Sequence, residues 1–279
     1  MKTSTTKNKN PICRAQSKIA GGGTDGHRPG ILLFHNKKIS SGLLMTLAIL
    51  FWIAVWQVLS VFLDNSLLIA SPLAVVKRIA ELAATVPFWA SIGVSLGRIL
   101  VGYAIGAAAG LMFGVLGTRF FPIHVLLSPL MAVIKSAPVT SFIILALVWI
   151  KSYELSAFIA FLMVFPMVYS STMEGIRSVD PKLLEVAKVY GFPARKTIKL
   201  VYIPALRPFL LSSLSTAIGF AWKAGITGEI FALPKPAIGT MLYNAKIYLE
   251  TLDVFCWTLV IIGLSLLIEA FVKSLVRKI

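Results

Sequence analysis

Long apolar runs alternate with short polar breaks along most of this chain. Each run is long enough for a membrane-crossing helix, and together they predict an all-α, polytopic membrane protein with about six transmembrane helices. The first span runs from about Leu43 to Leu63, and Asp64-Asn65-Ser66 ends it. Ser71-Pro72 then caps a helix reaching about Thr85; Lys77, Arg78 and Glu81 make it too short and too charged to cross, so it should lie on the membrane surface. The second span runs from about Ser91 to Leu116. Gly102, Gly106, Gly110 and Gly114 repeat every fourth residue in it, with Gly93 and Gly97 assigned to the same stripe. Such a stripe lets helices approach closely in lipid, and small residues could also leave room for a pathway.

The third apolar region, Ile123 to Ile150, exceeds one straight span, and Pro129 and Pro138 interrupt it. It predicts an interfacial helix to about Lys135 and a span from about Pro138 to Ile150. The fourth span, about Leu155 to Thr172, contains Pro166, which predicts a kink. Span five is about Pro208 to Phe231 and span six about Phe255 to Val272.

Between spans four and five lies a charged stretch, Glu185 to Pro204, within a loop of residues 173–207. Asp180-Pro181 supplies an N-cap and a first-turn proline for a helix over Lys182 to Tyr190. Gly191 can end it with positive φ, Pro193 can start a second short helix, and Pro204 marks that helix's end.

Composition narrows the class. The chain has 279 residues, is 57% hydrophobic and 14% charged, and is not a soluble domain on those numbers. Its net charge of +16 sits in the N-terminal stretch and between spans, so it reports topology and attraction to the lipid bilayer, not nucleic acid. Residues 1–38 read as a disordered basic tail, too long in its basic part for a signal peptide, ahead of a transmembrane domain over 39–279. Gly21-Gly22-Gly23-Thr24-Asp25-Gly26 matches G-x-G-x-x-G, but no strand precedes it and no apolar helix follows, so it reads as a linker and not a nucleotide site. Cys13 and Cys256, and His27, His35 and His124, are scattered; no metal site, cofactor site or catalytic cluster is expected. Arg119, Arg177, Lys182, Lys188, Arg195, Lys196, Lys199 and Arg207 fall with both termini on one side, which the positive-inside rule makes cytoplasmic.

Span five carries polar residues on one helical face: Ser212, Thr216, Gly219, Lys223 and Thr227. A lysine inside a span costs about 2.5–3.5 kcal/mol unless it faces protein or water. Either this face lines a pathway in which Lys223 attracts an anion, or Lys223 pairs with a carboxylate such as Glu229.

The central loop resembles the EAA loop of ATP-binding-cassette importer permeases: E-A-A, three residues, G, nine residues, I-x-L-P. Glu185-Val186-Ala187, Gly191, and Val201, Ile203 and Pro204 stand at those positions with the spacing intact. Ser95-Leu96-Gly97-Arg98, Lys135-Ser136-Ala137-Pro138, the Ser-Pro segment after the first span, Ala221 to Gly225 and Leu242 to Tyr248 resemble segments of the nitrate, sulfonate and taurine branch. Glu229 resembles an acidic residue common at that place, read as structural. The resemblance implies a type I importer permease fold in a bacterial cytoplasmic membrane. It also implies a homodimer, cytoplasmic ABC ATPase subunits that bind the ATP, and an extracytoplasmic solute-binding protein. Glu185, Ala187, Gly191, Pro193 and Pro204 would form the coupling surface for the ATPase. The solute would be a small anion such as a sulfonate, taurine or nitrate, or alternatively a vitamin precursor. The rival class is a gradient-driven secondary transporter or channel; a membrane-embedded enzyme is more distant.

Overall fold

The computed structural model describes residues 41–63 and 69–278. The N-terminal tail, its glycine-rich stretch and the Asp64-Asn65-Ser66 turn lie outside the described residues. The described residues are almost entirely helical, without strands. The chain divides into two units at Leu50/Phe51, inside the first helix, α1 (Ser41–Leu63); the packing that follows is that of residues 51–278.

Three helices make the core: α3 (Val86–Arg119), α6 (Ser152–Arg177) and α9 (Ile203–Ala232). α3 is about 51 Å long at 1.5 Å per residue, so it projects beyond a hydrocarbon layer of about 30 Å. Gly102, Gly106, Gly110 and Gly114 lie directly on α6. A methyl group on Gly110 would sit 2.8 Å from Val168 Cβ and 2.9 Å from the Phe165 carbonyl oxygen. The stripe is therefore a packing face. Gly93 and Gly97 are not part of it; both are exposed, with nothing near them. The step from Gly97 to Gly102 is five residues, which turns the helix about 140° and carries the earlier pair to another face. Trp222 of α9 is the largest fully buried side chain, and its indole N–H donates to the Ile261 carbonyl of α11 (Thr251–Lys278) at 3.1 Å. Tyr103 donates to the Leu214 carbonyl at 3.1 Å, tying α3 to α9.

α2 (Pro72–Ala83) starts where Ser71 Oγ accepts from the Ala74 N–H. At 12 residues it is too short to span. Its apolar side puts Val75 against Cys256 of α11. On its polar side Arg78 donates to both Asp253 oxygens, at 2.7 and 3.0 Å, and this hydrogen-bonded carboxylate raises the guanidinium pKa above its ordinary value.

The third apolar region forms no span from Pro138 to Ile150. α4 (Phe121–Ser136) and α5 (Val139–Ala146) meet at a 106° bend, where Pro138 cannot continue the α4 hydrogen-bond ladder. Among the described residues, five helical stretches are long and apolar enough to cross a membrane: α1, α3, α6, Ala194–Ala232 and α11. The bent pair counts as a sixth only if taken as one broken span. Two more expectations change. α9 does not begin after Pro204; the helical path from Ala194 to Ala232 is continuous. And α10 (Ile238–Ile247), a short helix beyond the left-handed Leu233 that ends α9, was not foreseen.

Candidate functional site

The central loop is built from its caps. Asp180 Oδ1 accepts from the Lys182 N–H at 2.9 Å and opens α7 (Pro181–Val189). Gly191 closes it at φ +62°. The Phe192 N–H reaches back to the Ala187 carbonyl at 2.9 Å, and the Gly191 N–H to the Lys188 carbonyl at 3.1 Å. This is the paired-hydrogen-bond C-terminal cap that needs a left-handed residue. Pro193 then caps the four-residue α8 (Ala194–Thr197), and Lys196 lies over the Phe192 ring at 4.1 Å. Ala187 is buried, whereas Glu185 is exposed and in no ion pair among the described residues. Close by in the chain, Val189 is 84% exposed, and Tyr190, whose ring lies 6.3 Å from that of Phe192, is 74% exposed.

Between α8 and α9, residues Ile198–Tyr202 form a wide π turn, in which the Ile203 N–H bonds to the Ile198 carbonyl five residues back. Pro204 follows as the second residue of α9. In an ordinary helix its ring would strike the Leu200 carbonyl; the wider turn relieves that clash and lets the helix run on.

The polar residues of span five share a helical face but differ in burial. Ser212, Thr216 and Lys223 are exposed on one open face, with Thr227 half-buried beside them. Gly219 is buried on the side of α11, against the Glu269 carboxylate. Thr216 and Thr227 donate to the carbonyls of Ser212 and Lys223 at 3.0 and 2.8 Å, so their hydroxyl hydrogens are occupied while their oxygens remain open as acceptors. Lys223 and Glu269 line one cavity of about 270 Å³. Glu269 pairs with Lys273 at 3.5 Å, and Lys223 takes part in no ion pair among the described residues.

Glu229 is not the partner of Lys223. Its side chain is fully buried and belongs to Arg98: Glu229 Oε1 lies 3.6 Å from Arg98 Nη1. Glu229 Oε2 accepts from Ser95 Oγ at 2.8 Å and from the Gly239 N–H at 3.2 Å. Ser95 Oγ in turn accepts from the Ile238 N–H at 2.9 Å. Arg98 also donates to the Pro236 carbonyl at 3.3 Å and lies over the Tyr153 ring at 3.9 Å. One ion pair thus joins α3, α9 and the start of α10. Ser95, Arg98 and Glu229 were each visible as charged or polar residues in apolar runs; their convergence was not, since 134 positions separate Ser95 from Glu229.

A helical body of five or six potential spans with an exposed, capped helix–turn–helix between two of them is the build of a membrane transport subunit. The chain belongs to the family of binding-protein-dependent transport system inner membrane components, which it matches over residues 106–279. It is 30% identical to a Bacillus subtilis permease protein, SsuC, named for aliphatic sulfonates transport, over 81% of this chain and 82% of that one. It is 27% identical to the bicarbonate transport system permease protein CmpB of Synechococcus elongatus, over 91% and 95% of the two chains. It is 23% identical to the taurine transport system permease protein TauC of Escherichia coli, over 84% and 86%. The chain is a multi-pass permease subunit of an ABC importer, and membership in this family replaces the gradient-driven alternative.

Proposed function

We propose that this permease imports a small anion of the sulfonate, taurine, nitrate or bicarbonate kind, working as a homodimer with two cytoplasmic ATPase subunits and an extracytoplasmic binding protein. ATP is held by the ATPase partners, and both termini of the permease are cytoplasmic. The observation that carries the coupling assignment is the α7–Gly191–α8 turn: a rigidly capped element whose apolar side chains, Val189 and Tyr190, are largely exposed, near a Glu185 that enters no ion pair among the described residues. These groups suit a groove on another protein, with Glu185 making a polar contact at its edge. Ala187, Pro193 and Pro204 hold the turn in place and join it to α9. Closure of the ATPase pair draws the two turns of the dimer together. The permease then exchanges inward-open for outward-open stability, which requires only that the partner favour one of the two states.

The open face of α9, with Ser212, Thr216, Lys223 and Thr227, lines the path in this reading, and Gly219 sets the neighbouring contact with α11. Lys223 enters no ion pair among the described residues, and its charge favours an anion over a cation. The relatives named for sulfonate, taurine and bicarbonate transport support the same substrate class.

The test is co-purification from detergent-solubilised membranes followed by uptake in proteoliposomes supplied with the binding protein. An ATPase subunit should accompany the chain in equal amount and be lost with Gly191→Leu or Glu185→Lys, while membrane insertion persists. Uptake of labelled taurine, an alkanesulfonate, nitrate and bicarbonate then ranks the solutes. Lys223→Glu should abolish uptake of the preferred anion with ATPase binding intact. Normal uptake by the Gly191 and Glu185 variants would sink the coupling assignment; normal uptake by Lys223→Glu would sink the pathway assignment.

A further inference from the structure

A second polar site lies apart from both surfaces. α4 and the last turns of α6 enclose a cleft of about 340 Å³. Its polar wall is His124, Lys135, Tyr169, Ser170, Glu174 and Arg177, and its apolar floor includes the buried Met131 and Met173. Lys135 Nζ donates to Ser170 Oγ at 2.6 Å, which leaves two ammonium hydrogens without a described acceptor. His124 Nδ1 meets the Tyr169 hydroxyl at 3.2 Å. Neither Lys135 nor Arg177 enters an ion pair among the described residues, and Glu174 enters none either. Two basic side chains therefore face one cleft with one carboxylate, a surplus of one positive charge.

We propose that this cleft binds a monoanionic tetrahedral oxyanion head carrying a small apolar stem, the chemistry shared by a phosphodiester lipid headgroup and a free alkanesulfonate. Lys135 and Arg177 supply the charge and the donors, Ser170 the hydroxyl beside them, and Met131 and Met173 receive the stem. Arg177 ends α6 three residues before Asp180, the cap of α7. An anion held there neutralises the charge next to the coupling turn and braces α4 against α6. The placement of the cleft at the cytoplasmic face rests on the permease reading; the binding itself does not, and the assay needs no transport.

The full-length permease is placed in phosphatidylcholine nanodiscs with and without phosphatidylglycerol. Retained lipid is read by native mass spectrometry, and ethanesulfonate binding by calorimetry. Losing either Lys135 or Arg177 (Lys135→Gln, Arg177→Gln) should weaken binding about fivefold, and losing both about 30-fold, since each cation near the surface contributes roughly one kcal/mol. Glu174→Gln should tighten binding about fivefold, a gain that misfolding cannot mimic. Lys199→Gln, a cation outside the cleft, is the control. Phosphatidylglycerol retention that follows this series identifies a lipid headgroup site. Ethanesulfonate binding in pure phosphatidylcholine that follows it identifies a site for the free anion. Binding of neither, or equal losses with Lys199→Gln, overturns the proposal.

Discussion

At the scale of single residues, Arg98 and Glu229 show what burial does to charge. Each taken alone from water would cost several kcal/mol, and their mutual attraction offsets this only because Ser95, Gly239 and the Pro236 carbonyl supply further hydrogen bonds. Compensation is incomplete, since Arg98 Nε and Nη2 and Glu229 Oε1 have no hydrogen-bond partner among the described residues. Truncating one member should therefore be worse than removing both. Glu229→Ala is expected to destabilise the protein by about 3–5 kcal/mol, and the double Arg98→Leu/Glu229→Leu by distinctly less. Thermal unfolding in detergent reads both; a double variant as unstable as the sum of the singles would remove the ion pair from this account. Gly191 is a different case, because a side chain there meets open space and only its φ of +62° matters. Asn, which tolerates the left-handed region, should keep the ATPase bound at Gly191, whereas Val should weaken that complex by about 1–2 kcal/mol or more. Co-purification yield distinguishes the two; equal yields would mean that the turn is not what the partner reads.

At the scale of elements, the α3–α6 contact depends on backbone approach at four consecutive helical turns. Gly106→Leu or Gly110→Val must push α6 away or distort it, and a cost of about 1–3 kcal/mol each is expected from overpacking. Gly93→Ala and Gly97→Ala, on open faces, should cost nothing in the interior contact. Expression level and melting temperature of the four variants check this contrast. The same helices show what the sequence could and could not convey. Hydrophobic runs located the spans, because any lipid-crossing helix must satisfy its own backbone and present apolar side chains. Cap chemistry located Asp180, Gly191 and Ser71, since those signals are local. Three features escaped. The phase slip after Gly97 is a matter of one extra residue, the 106° bend at Pro138 depends on what α4 and α5 pack against, and the π turn before Pro204 hides a proline inside a helix that local rules would end there. The opposition of Arg98 to Glu229, and of Lys135 to Ser170, is tertiary and has no local signature.

At the scale of the whole molecule, the continuity of Ala194–Ala232 matters most. The second half of the coupling turn and the helix bearing Lys223 are one helical path of 39 residues. In the proposed coupling, a displacement of α8 at the ATPase would be delivered to the polar face of α9 without a flexible joint, except at the π turn and at Pro208. At that turn the hydrogen-bond register of the path widens to i→i−5, and Pro208 further on lacks the N–H for its own i→i−4 bond; breaks of these kinds are where a helix can pivot or give way. If α8 and α9 act as a lever, weakening the joint should uncouple the two ends while leaving each intact. Replacing Lys199 and Leu200, both exposed in the π turn, with glycine adds about 2 kcal/mol of helix cost at the joint and removes little buried surface. The double variant should still bind the ATPase subunit and hydrolyse ATP, yet transport fewer solute molecules per ATP hydrolysed, by roughly tenfold if the joint opens in most cycles. The ratio of uptake to hydrolysis in proteoliposomes is the measurement. An unchanged ratio would place the transmission elsewhere, with the contact of Gly175 on Leu206 and Phe209, where α6 meets the start of α9, as the next candidate.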